Sequence, residues 1–315
     1  MQIHIKKLTA CLIVIFLPLS ILFAQDFTSW PVLLDKKFEK SYPLNGEKIV
    51  LNNQFGKMEI ETWDKNELKV IALIKIGARE KEVAERCIDM INVVDDVKDN
   101  TIEIRTKIDN DRNYWEGNRT NSREIKIDYK VYLPKTANLF AENSFGNIDL
   151  GDFDGEAELW CKYGNLTAGN FSKPVKISVD FGRANIGSVN NSKINAKYSR
   201  IEVEKLNGDL DGKFEFCQSV DLMTGDKVKS MSFHCNYTNL NIELQKGAAV
   251  NYSMQLNNGS LNNRTNYTIE EKAKSENRNY YYSPVKKYEG SFGKAENALQ
   301  LTIKSNFGKV RLAGA

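Results

Sequence analysis

The segment LWCKYGNLTAGNF, residues 159–171, places an aromatic–glycine pair inside a run of alternating apolar residues. The phrase returns as ISVDFGRANIGSV (177–189) and as INAKYSRIEVEKL (194–206). From residue 145 to residue 237, the equivalent aromatic residues are spaced 18, 18, 17, 18 and 21 positions apart. A period of this length is typical of solenoids, in which each repeat stacks on its neighbours.

Apolar residues keep fixed offsets from the aromatic residue in successive repeats. Offsets −4, −2 and 0 predict one strand with inward side chains, and offsets +3 and +5 predict a second strand of opposite parity. We interpret the extra residue between them as a corner, where the aromatic side chain fills the interior and glycine adopts the angles of the turn. The stacked aromatic residues of this structural ladder would be Phe55, Phe145, Tyr163, Phe181, Tyr198, Phe216, Tyr237 and Phe307.

The fold class predicted is therefore all-β, a β-solenoid built as a parallel β-helix with coils of about 18 residues. The alternative is a sandwich of unrelated, half-buried strands. The register also covers LNNQFGKMEIETW (51–63) and IKSNFGKVRL (303–312), while MQLNNGSLNN (254–263) carries Asn258 at the aromatic position.

Two segments interrupt the repeat and suggest the domain organisation. The first, at about 64–138, contains REKEVAERCIDMI, whose apolar residues recur at helical spacing and predict an amphipathic helix over 78–91. The second, at about 265–300, is long, charged and rich in tyrosine. We predict a β-rich region over 25–138 and solenoid repeats over 139–315.

The N-terminal stretch has the layout of a secretory signal peptide. Lys6 and Lys7 precede an apolar run that ends at Phe23, and the small residue Ala24 follows. This predicts a signal peptide over 1–24 that is cleaved after Ala24. The alternative is an uncleaved membrane anchor.

The net charge limits the classes of binding partner. Removing Lys6 and Lys7 from 44 basic residues leaves 42 against 41 acidic ones, a net charge of +1. This balance predicts neither nucleic acid nor an anionic membrane as partner, and nothing else in the chain reads as a membrane span.

The repeat puts the cysteines too far apart to bridge, so we expect no disulfide. Buried thiols are expected at Cys87, Cys161 and Cys235, with Cys217 pointing outward.

The sequence offers little catalytic or metal-binding chemistry. His234 is the one histidine left after signal removal, and its neighbours Phe233 and Cys235 are core positions, so its side chain should point outward. No spacing supports a zinc site, and the acidic clusters fit solvated turns better than calcium loops. Outward charges alternate in sign, the pattern of a salt-bridged face, at Lys162, Asp180, Arg183, Lys197, Arg200 and Glu202. We predict no catalytic residue, no metal, no cofactor and no enzymatic activity.

Aromatic residues of the two interruptions are the candidate binding residues. Aromatic-rich loops on a rigid scaffold suit sugar stacking or protein contact, although the same side chains can clamp their own loop. The candidates are Tyr114, Trp115, Tyr280, Tyr281, Tyr282 and Tyr288, with Tyr267 nearby.

The phrases NNQFGKMEIETWDKNELKVIALIKI, IDYKVYLP, NSFGNIDLGDFDGE and KYGNLTAGNF together resemble the exported putative-adhesin family of Gram-negative envelope proteins. That family shares its repeat style with auto-transporter-adhesin-like head domains, and the likeness covers almost the whole chain after residue 24. The resemblance implies a right-handed β-solenoid in the cell envelope, a role in adhesion and no active site. The sequence departs from the family pattern at Cys217, which stands where the glycine is expected, and in the insertion after Asn258.

Three functions follow from these observations. The first is a non-enzymatic, exported adhesin or binding scaffold of the cell envelope, with a glycan or an envelope or surface protein as partner. The second is a periplasmic structural or envelope-stress-sensing component. The third is a polysaccharide-degrading enzyme. The expected location is the periplasm or the cell surface.

Overall fold

The computed structural model describes residues 29–109, 123–272, 284–294 and 298–314. These residues form 24 strands and one helix, so the all-β prediction is confirmed. The strands make two sheets of 12 strands each. The predicted signal peptide lies outside the described residues.

The first sheet runs, in spatial order, through β1 (Val32–Pro43), β4 (Glu67–Ala78), β7 (Arg123–Pro134), β3 (Met58–Trp63), β9 (Ile148–Leu150), β11 (Asn165–Asn170), β13 (Arg183–Val189), β15 (Arg200–Leu206), β17 (Ser219–Thr224), β19 (Leu240–Leu244), β24 (Lys309–Gly314) and β21 (Ser260–Thr265). The second sheet runs through β22 (Val285–Phe292), β20 (Val250–Asn257), β23 (Leu299–Asn306), β18 (Ser230–Asn236), β16 (Leu210–Glu215), β14 (Ser192–Lys197), β12 (Val175–Asp180), β10 (Ala157–Lys162), β8 (Asn138–Ser144), β2 (Lys48–Gln54), β6 (Thr101–Ile108) and β5 (Ile91–Lys98).

From β8 to β19, successive strands alternate between the two sheets. From β8 to β17, each pairs in parallel with the strand two further along the chain. Leu159 of β10 lies opposite Ile177 of β12, and Leu166 of β11 lies opposite Ala184 of β13. Both pairs join residues 18 positions apart, so the 18-residue period of the sequence equals the separation of paired residues in both sheets.

The core lies between the two sheets. The inward positions predicted at offsets −4, −2, +3 and +5 are confirmed, because side chains such as Leu159, Cys161 and Leu166 are at most 1% exposed. Almost all of the buried apolar residues belong to one continuous cluster. Since each strand buries only alternate residues, the other face of each sheet is left to polar side chains and to the site described below.

The predicted helix exists but is shorter than its sequence pattern. The helix α1 covers Lys81–Asp89 and buries Val83, Ala84 and Cys87 against β4 and β1. Ala78 still belongs to β4 and Ile91 already belongs to β5. The apolar periodicity of 78–91 therefore includes the ends of the flanking strands, which bury apolar residues as the helix does.

The first interruption adds antiparallel pairs to the N-terminal end of both sheets. β1 pairs with β4, β4 with β7, and β5 with β6. The Phe55 repeat rejoins the others directly, because β2 pairs in parallel with β8 and β3 with β9. The predicted regions 25–138 and 139–315 thus share both sheets.

The repeat that contains Phe307 lies out of sequence order. β23 sits between β18 and β20, and β24 sits between β19 and β21. In space the repeat of Phe307 therefore comes between those of Tyr237 and Asn258. The second interruption provides β22, which pairs antiparallel with β20 at the edge of the second sheet.

The four cysteines among the described residues are free and buried. Burial raises the pKa of Cys161 and Cys235 to about 12. The outward orientation expected for Cys217 is wrong, because this residue is 2% exposed and its thiol lies 3.4 Å from the carbonyl oxygen of Ala196.

We expect these thiols to be unreactive in the folded protein. A buried thiol with a raised pKa supplies almost no accessible thiolate, the reactive species, at neutral or mildly basic pH. In a Cys11→Ser form, a colorimetric thiol reagent at pH 8 should therefore titrate no thiol until denaturant unfolds the chain, and then all four. Rapid reaction of even one equivalent in native buffer would contradict the buried placement.

Candidate functional site

Eight aromatic side chains form one continuous stack along the corner between the sheets. Neighbouring ring centroids are 4.7–5.2 Å apart and the rings lie within 3–9° of parallel. We call this stack the aromatic ladder; its members are Phe55, Phe145, Tyr163, Phe181, Tyr198, Phe216, Tyr237 and Phe307.

The aromatic ladder lies on the outside of the molecule, so the prediction that these side chains fill the interior is wrong. The rings from Phe145 to Phe307 are 44–53% exposed. Every ladder residue has a positive φ between 50° and 64°. This left-handed conformation turns the chain sharply into the other sheet, so the side chain leaves on the convex side of the corner. It costs about 1–2 kcal/mol per residue, and each stacked pair returns about 0.5–1.5 kcal/mol beyond its buried area.

The glycine after the aromatic residue is required by close approach and does not itself turn the corner. Gly164 and Gly182 are absent from the positive-φ residues, which include the aromatic residues before them. A Cβ on Gly164 would lie 2.0 Å from the carbonyl oxygen of Gly146, and a Cβ on Gly182 would lie 1.8 Å from that of Gly164. The backbone of each repeat occupies the space that a side chain would need.

Three successive repeats use a second kind of corner, with Ser199, Cys217 or Thr238 after the aromatic residue. These side chains are 1–3% exposed and point inward. The Ser199 hydroxyl lies 2.7 Å from the Lys197 carbonyl oxygen, and Thr238 Oγ1 lies 3.0 Å from that of Asn236. A small polar side chain therefore replaces glycine where the corner leaves room for a Cβ.

A groove of about 640 Å³ runs beside the ladder on the outer face of the first sheet. The edges of the Tyr198 and Phe216 rings form one wall. The rest of the lining consists of amide, guanidinium and hydroxyl groups from β11, β13 and β15 and from the residues just before β9 and β17. Their residues are Asn147, Asn165, Thr167, Arg183, Asn185, Arg200 and Gln218.

Backbone pairing positions these polar groups. Asn165, Arg183 and Arg200 occupy one row across β11, β13 and β15, because Asn165 lies opposite Arg183 and Arg183 lies opposite Arg200. Asn147 Oδ1 accepts a hydrogen bond of 2.9 Å from the backbone N–H of Asn165. The backbone N–H of Gln218 donates to the Ser199 carbonyl oxygen at 3.0 Å. The row is thus fixed by the sheet itself.

The chemistry of the groove is that of a binding surface. Planar amides donate and accept hydrogen bonds, and guanidinium groups donate in a fixed fork. Its lining among the described residues contains no carboxylate and no histidine. The described lining of this groove therefore lacks the paired carboxylates by which most glycoside hydrolases cleave.

Sequence reasoning placed the candidate aromatic residues elsewhere. Tyr114, Trp115, Tyr280, Tyr281 and Tyr282 lie outside the described residues. Tyr288 belongs to strand β22 and is 8% exposed, so its assignment to a binding loop is wrong. The reason is that β22 extends the second sheet and sets Tyr288 opposite Met254. Tyr267 stacks on Phe292 with 4.8 Å between ring centroids.

Of the groove residues, Arg183 and Arg200 were among the predicted outward charges, but their grouping was not apparent from the sequence. Lys162 pairs with Glu142 at 2.9 Å and Lys197 with Glu215 at 3.4 Å, as an alternating charge pattern predicts. Arg183 and Arg200 instead lie side by side on neighbouring strands. A spacing of 17 residues, one repeat, is the signal that could have brought them together.

Other candidate sites give little. His234 is exposed on β18, as predicted. In the part of the chain that the structure describes, no group of three or more His, Cys, Asp or Glu residues is arranged to hold a metal ion. Over the same residues, no helix is long and apolar enough to span a membrane.

No protein-family model matches the chain, and no curated protein matches it. Ten solved chains do match it. A putative cell adhesion protein from Clostridium sporogenes is 16% identical, with coverage of 90% of this chain and 100% of that one and a TM-score of 0.21. A putative adhesin from Bacteroides fragilis is 10% identical, with coverage of 88% and 97% and a TM-score of 0.43.

A third match is a putative lipid binding protein from Parabacteroides distasonis, 11% identical, with coverage of 88% of this chain and 96% of that one and a TM-score of 0.33. At these TM-scores the likeness carries no argument about fold or function. Both therefore rest on the contacts of this chain.

Proposed function

We propose that this chain is an exported, non-catalytic β-solenoid that binds a glycan in the groove beside its aromatic ladder. The observation that carries the proposal is the groove itself: about 640 Å³, walled by two half-exposed rings and lined by amide and guanidinium groups. Its size falls within the range of small-ligand sites. Aromatic rings and planar hydrogen-bonding groups side by side suit a ligand that is apolar on some edges and hydroxylated on others.

The solenoid assignment is supported by the parallel pairing of residues 18 positions apart in both sheets. We propose the right-handed form and membership of the exported putative-adhesin family, including its auto-transporter-adhesin-like members, from the sequence resemblance. Export is inferred from the signal-peptide layout of residues 1–24. Adhesion would require the cell surface, whereas a scaffold would fit the periplasm, and protease treatment of intact cells separates these locations.

The test of glycan binding is a substitution at the ladder edge of the groove. Tyr198→Asn should weaken glycan binding about 3- to 10-fold, because one ring that walls the groove is lost. Asparagine is chosen because Asn258 already occupies the equivalent position with φ of 50°. Binding is measured by the retardation of the purified protein in gels that contain neutral or acidic polysaccharides.

Tyr237→Asn is the matched control. It makes the same chemical change at a ladder position that does not line the groove, so binding should be retained. Failure of every polysaccharide to retard the wild-type protein would refute the proposed function. Equal weakening by both substitutions would refute the groove as the site.

A further inference from the structure

Two arginines face each other across neighbouring strands in the groove. Arg183 of β13 is the register partner of Arg200 of β15. Adjacent strands lie about 4.8 Å apart, and like charges directly opposite one another destabilise a sheet. An anionic group between the two guanidinium groups would offset this repulsion.

The described residues do not supply that opposite charge. Neither guanidinium has a carboxylate within 4.0 Å among them, and neither makes a hydrogen bond or a ring contact with them. Glu202, on the same face two residues beyond Arg200 and opposite Asn185, stays outside that distance. The Arg200 Nε atom is buried and has no acceptor. A buried, charged donor without an acceptor costs free energy in the unliganded protein.

Near the N-terminal end of the same sheet, a cluster of lysines is neutralised by glutamates. The Lys130 ammonium group lies 2.7 Å from a Glu59 carboxylate oxygen and 2.6 Å from one of Glu61. Lys57 contacts Glu59 as well, and hydrogen bonds from Lys130 and then Lys57 lower the pKa of Glu59 to about 2. The arginine pair has no such partner; Lys205 of β15 and Arg311 of β24 also have no carboxylate within 4.0 Å among the described residues, but only the two arginines lie opposite each other in the groove.

Glu202 apart, the amide groups and ring edges beside the pair also favour negative charge. Asn165 and Asn185 offer amide donors on the neighbouring positions. The faces of Tyr198 and Phe216 are occupied by stacking, so both rings present their edges to the groove. The edge of an aromatic ring carries the positive end of its quadrupole.

We propose that the groove takes an acidic glycan, whose carboxylate or sulfate group binds between the guanidinium groups of Arg183 and Arg200. The proposal rests on the proposed function and adds the chemical class of the ligand. Guanidinium groups match both anions because two parallel N–H donors can engage two oxygens. The remainder of the sugar would lie along the ring edges and the amides of Asn165, Asn185 and Gln218.

The experiment compares each acidic polysaccharide with its neutral counterpart. The full-length chain is tested against polygalacturonate and its fully methyl-esterified form, and against dextran sulfate and dextran. The first pair probes carboxylate and the second probes sulfate. The variants are Arg200→Gln and Arg183→Gln. The control is Arg311→Gln, the same change on the outer face of β24, away from the groove.

We expect wild type to bind at least one acidic polymer about tenfold more tightly than its neutral counterpart, and each groove variant to lose about tenfold. Arg311→Gln should bind like wild type. Both groove variants should melt at or above the wild-type temperature, because removal of one arginine relieves repulsion. Arg183 is exposed, so its variant alone decides the question if Arg200→Gln fails to fold.

Neutral binding that Tyr198→Asn weakens, without any preference for the acidic form, would overturn this inference and leave the proposed function standing. No binding to any of the four polymers would overturn both. Loss of binding in Arg311→Gln equal to that in the groove variants would also overturn the inference, since it would show general attraction to polyanions. Equally tight binding to duplex DNA or to anionic lipid vesicles would overturn the inference as well, because it too would show general attraction to polyanions.

Discussion

Gly164→Ala is expected to lower the free energy of unfolding by about 3 kcal/mol or more, at the upper end of the cost of overpacking. The added Cβ would lie 2.0 Å from the Gly146 carbonyl oxygen and 2.5 Å from the carbonyl carbon. Both atoms belong to the backbone of a paired repeat, so no side-chain rotation can relieve the overlap. The neighbouring repeats would have to move apart at the ladder. Urea unfolding followed by far-ultraviolet circular dichroism measures the effect.

Gly151→Ala is the matched control for this substitution. Gly151 lies between strands, its φ is not positive, and a Cβ built on it has no neighbour within 4 Å. The same methyl group should therefore change stability by about 0.5 kcal/mol or less. If Gly164→Ala unfolded at the same urea concentration as Gly151→Ala, the close approach of the corners would be disproved.

Phe214→Ala is expected to cost about 3–5 kcal/mol, the usual loss for a large aromatic side chain removed from a core. Phe214 is fully buried and lies opposite the small residues Ala196 and Cys235 on the neighbouring strands. Two residues earlier, Gly212 lies between Ile194 and Phe233. Large and small side chains thus alternate in the two columns, and the Phe214 ring fills space that its neighbours leave.

A double-mutant cycle with Gly212→Leu tests this complementarity. Alone, Gly212→Leu should destabilise the protein, because even a Cβ would lie 2.6 Å from the Phe214 ring. Combined with Phe214→Ala, the new leucine has the vacated space to fill, so the double variant should be more stable than the sum of the single effects by at least about 1 kcal/mol. The unfolding midpoints of the four proteins provide the measurement. Additive losses would show that the two positions do not share one space.

Much of the fold was predictable from residue patterns. Strand alternation depends on a period of two, and the offsets −4, −2, +3 and +5 therefore identified the buried columns correctly. The side of the corner on which the aromatic side chains lie was not predictable, because parity alone cannot show that Phe145 or Tyr163 adopts a left-handed conformation. Cys217 was assigned outward for the same reason.

The candidate site was harder to predict than the fold. Arg183 and Arg200 belong to an alternating series of charges when the sequence is read along the chain, and alternation predicts ion pairs. Only the register of β13 against β15 puts the two arginines opposite each other. Tyr288 was wrongly assigned to an exposed loop because the stretch around it is charged and rich in tyrosine. This composition does not indicate the strand β22, in which Tyr288 is buried.

The sequence by itself determined the all-β class, the period of 18 residues, the inward columns and the positions of the corners. These depend on local geometry: the alternation of a strand and the repetition of one phrase. The tertiary structure alone decided the order of the last repeats, in which Phe307 stacks on Tyr237 and Asn258 comes beyond it. The physical reason is that stacking requires a ring on each side. An asparagine between Tyr237 and Phe307 would interrupt the ladder, whereas at its end it interrupts nothing.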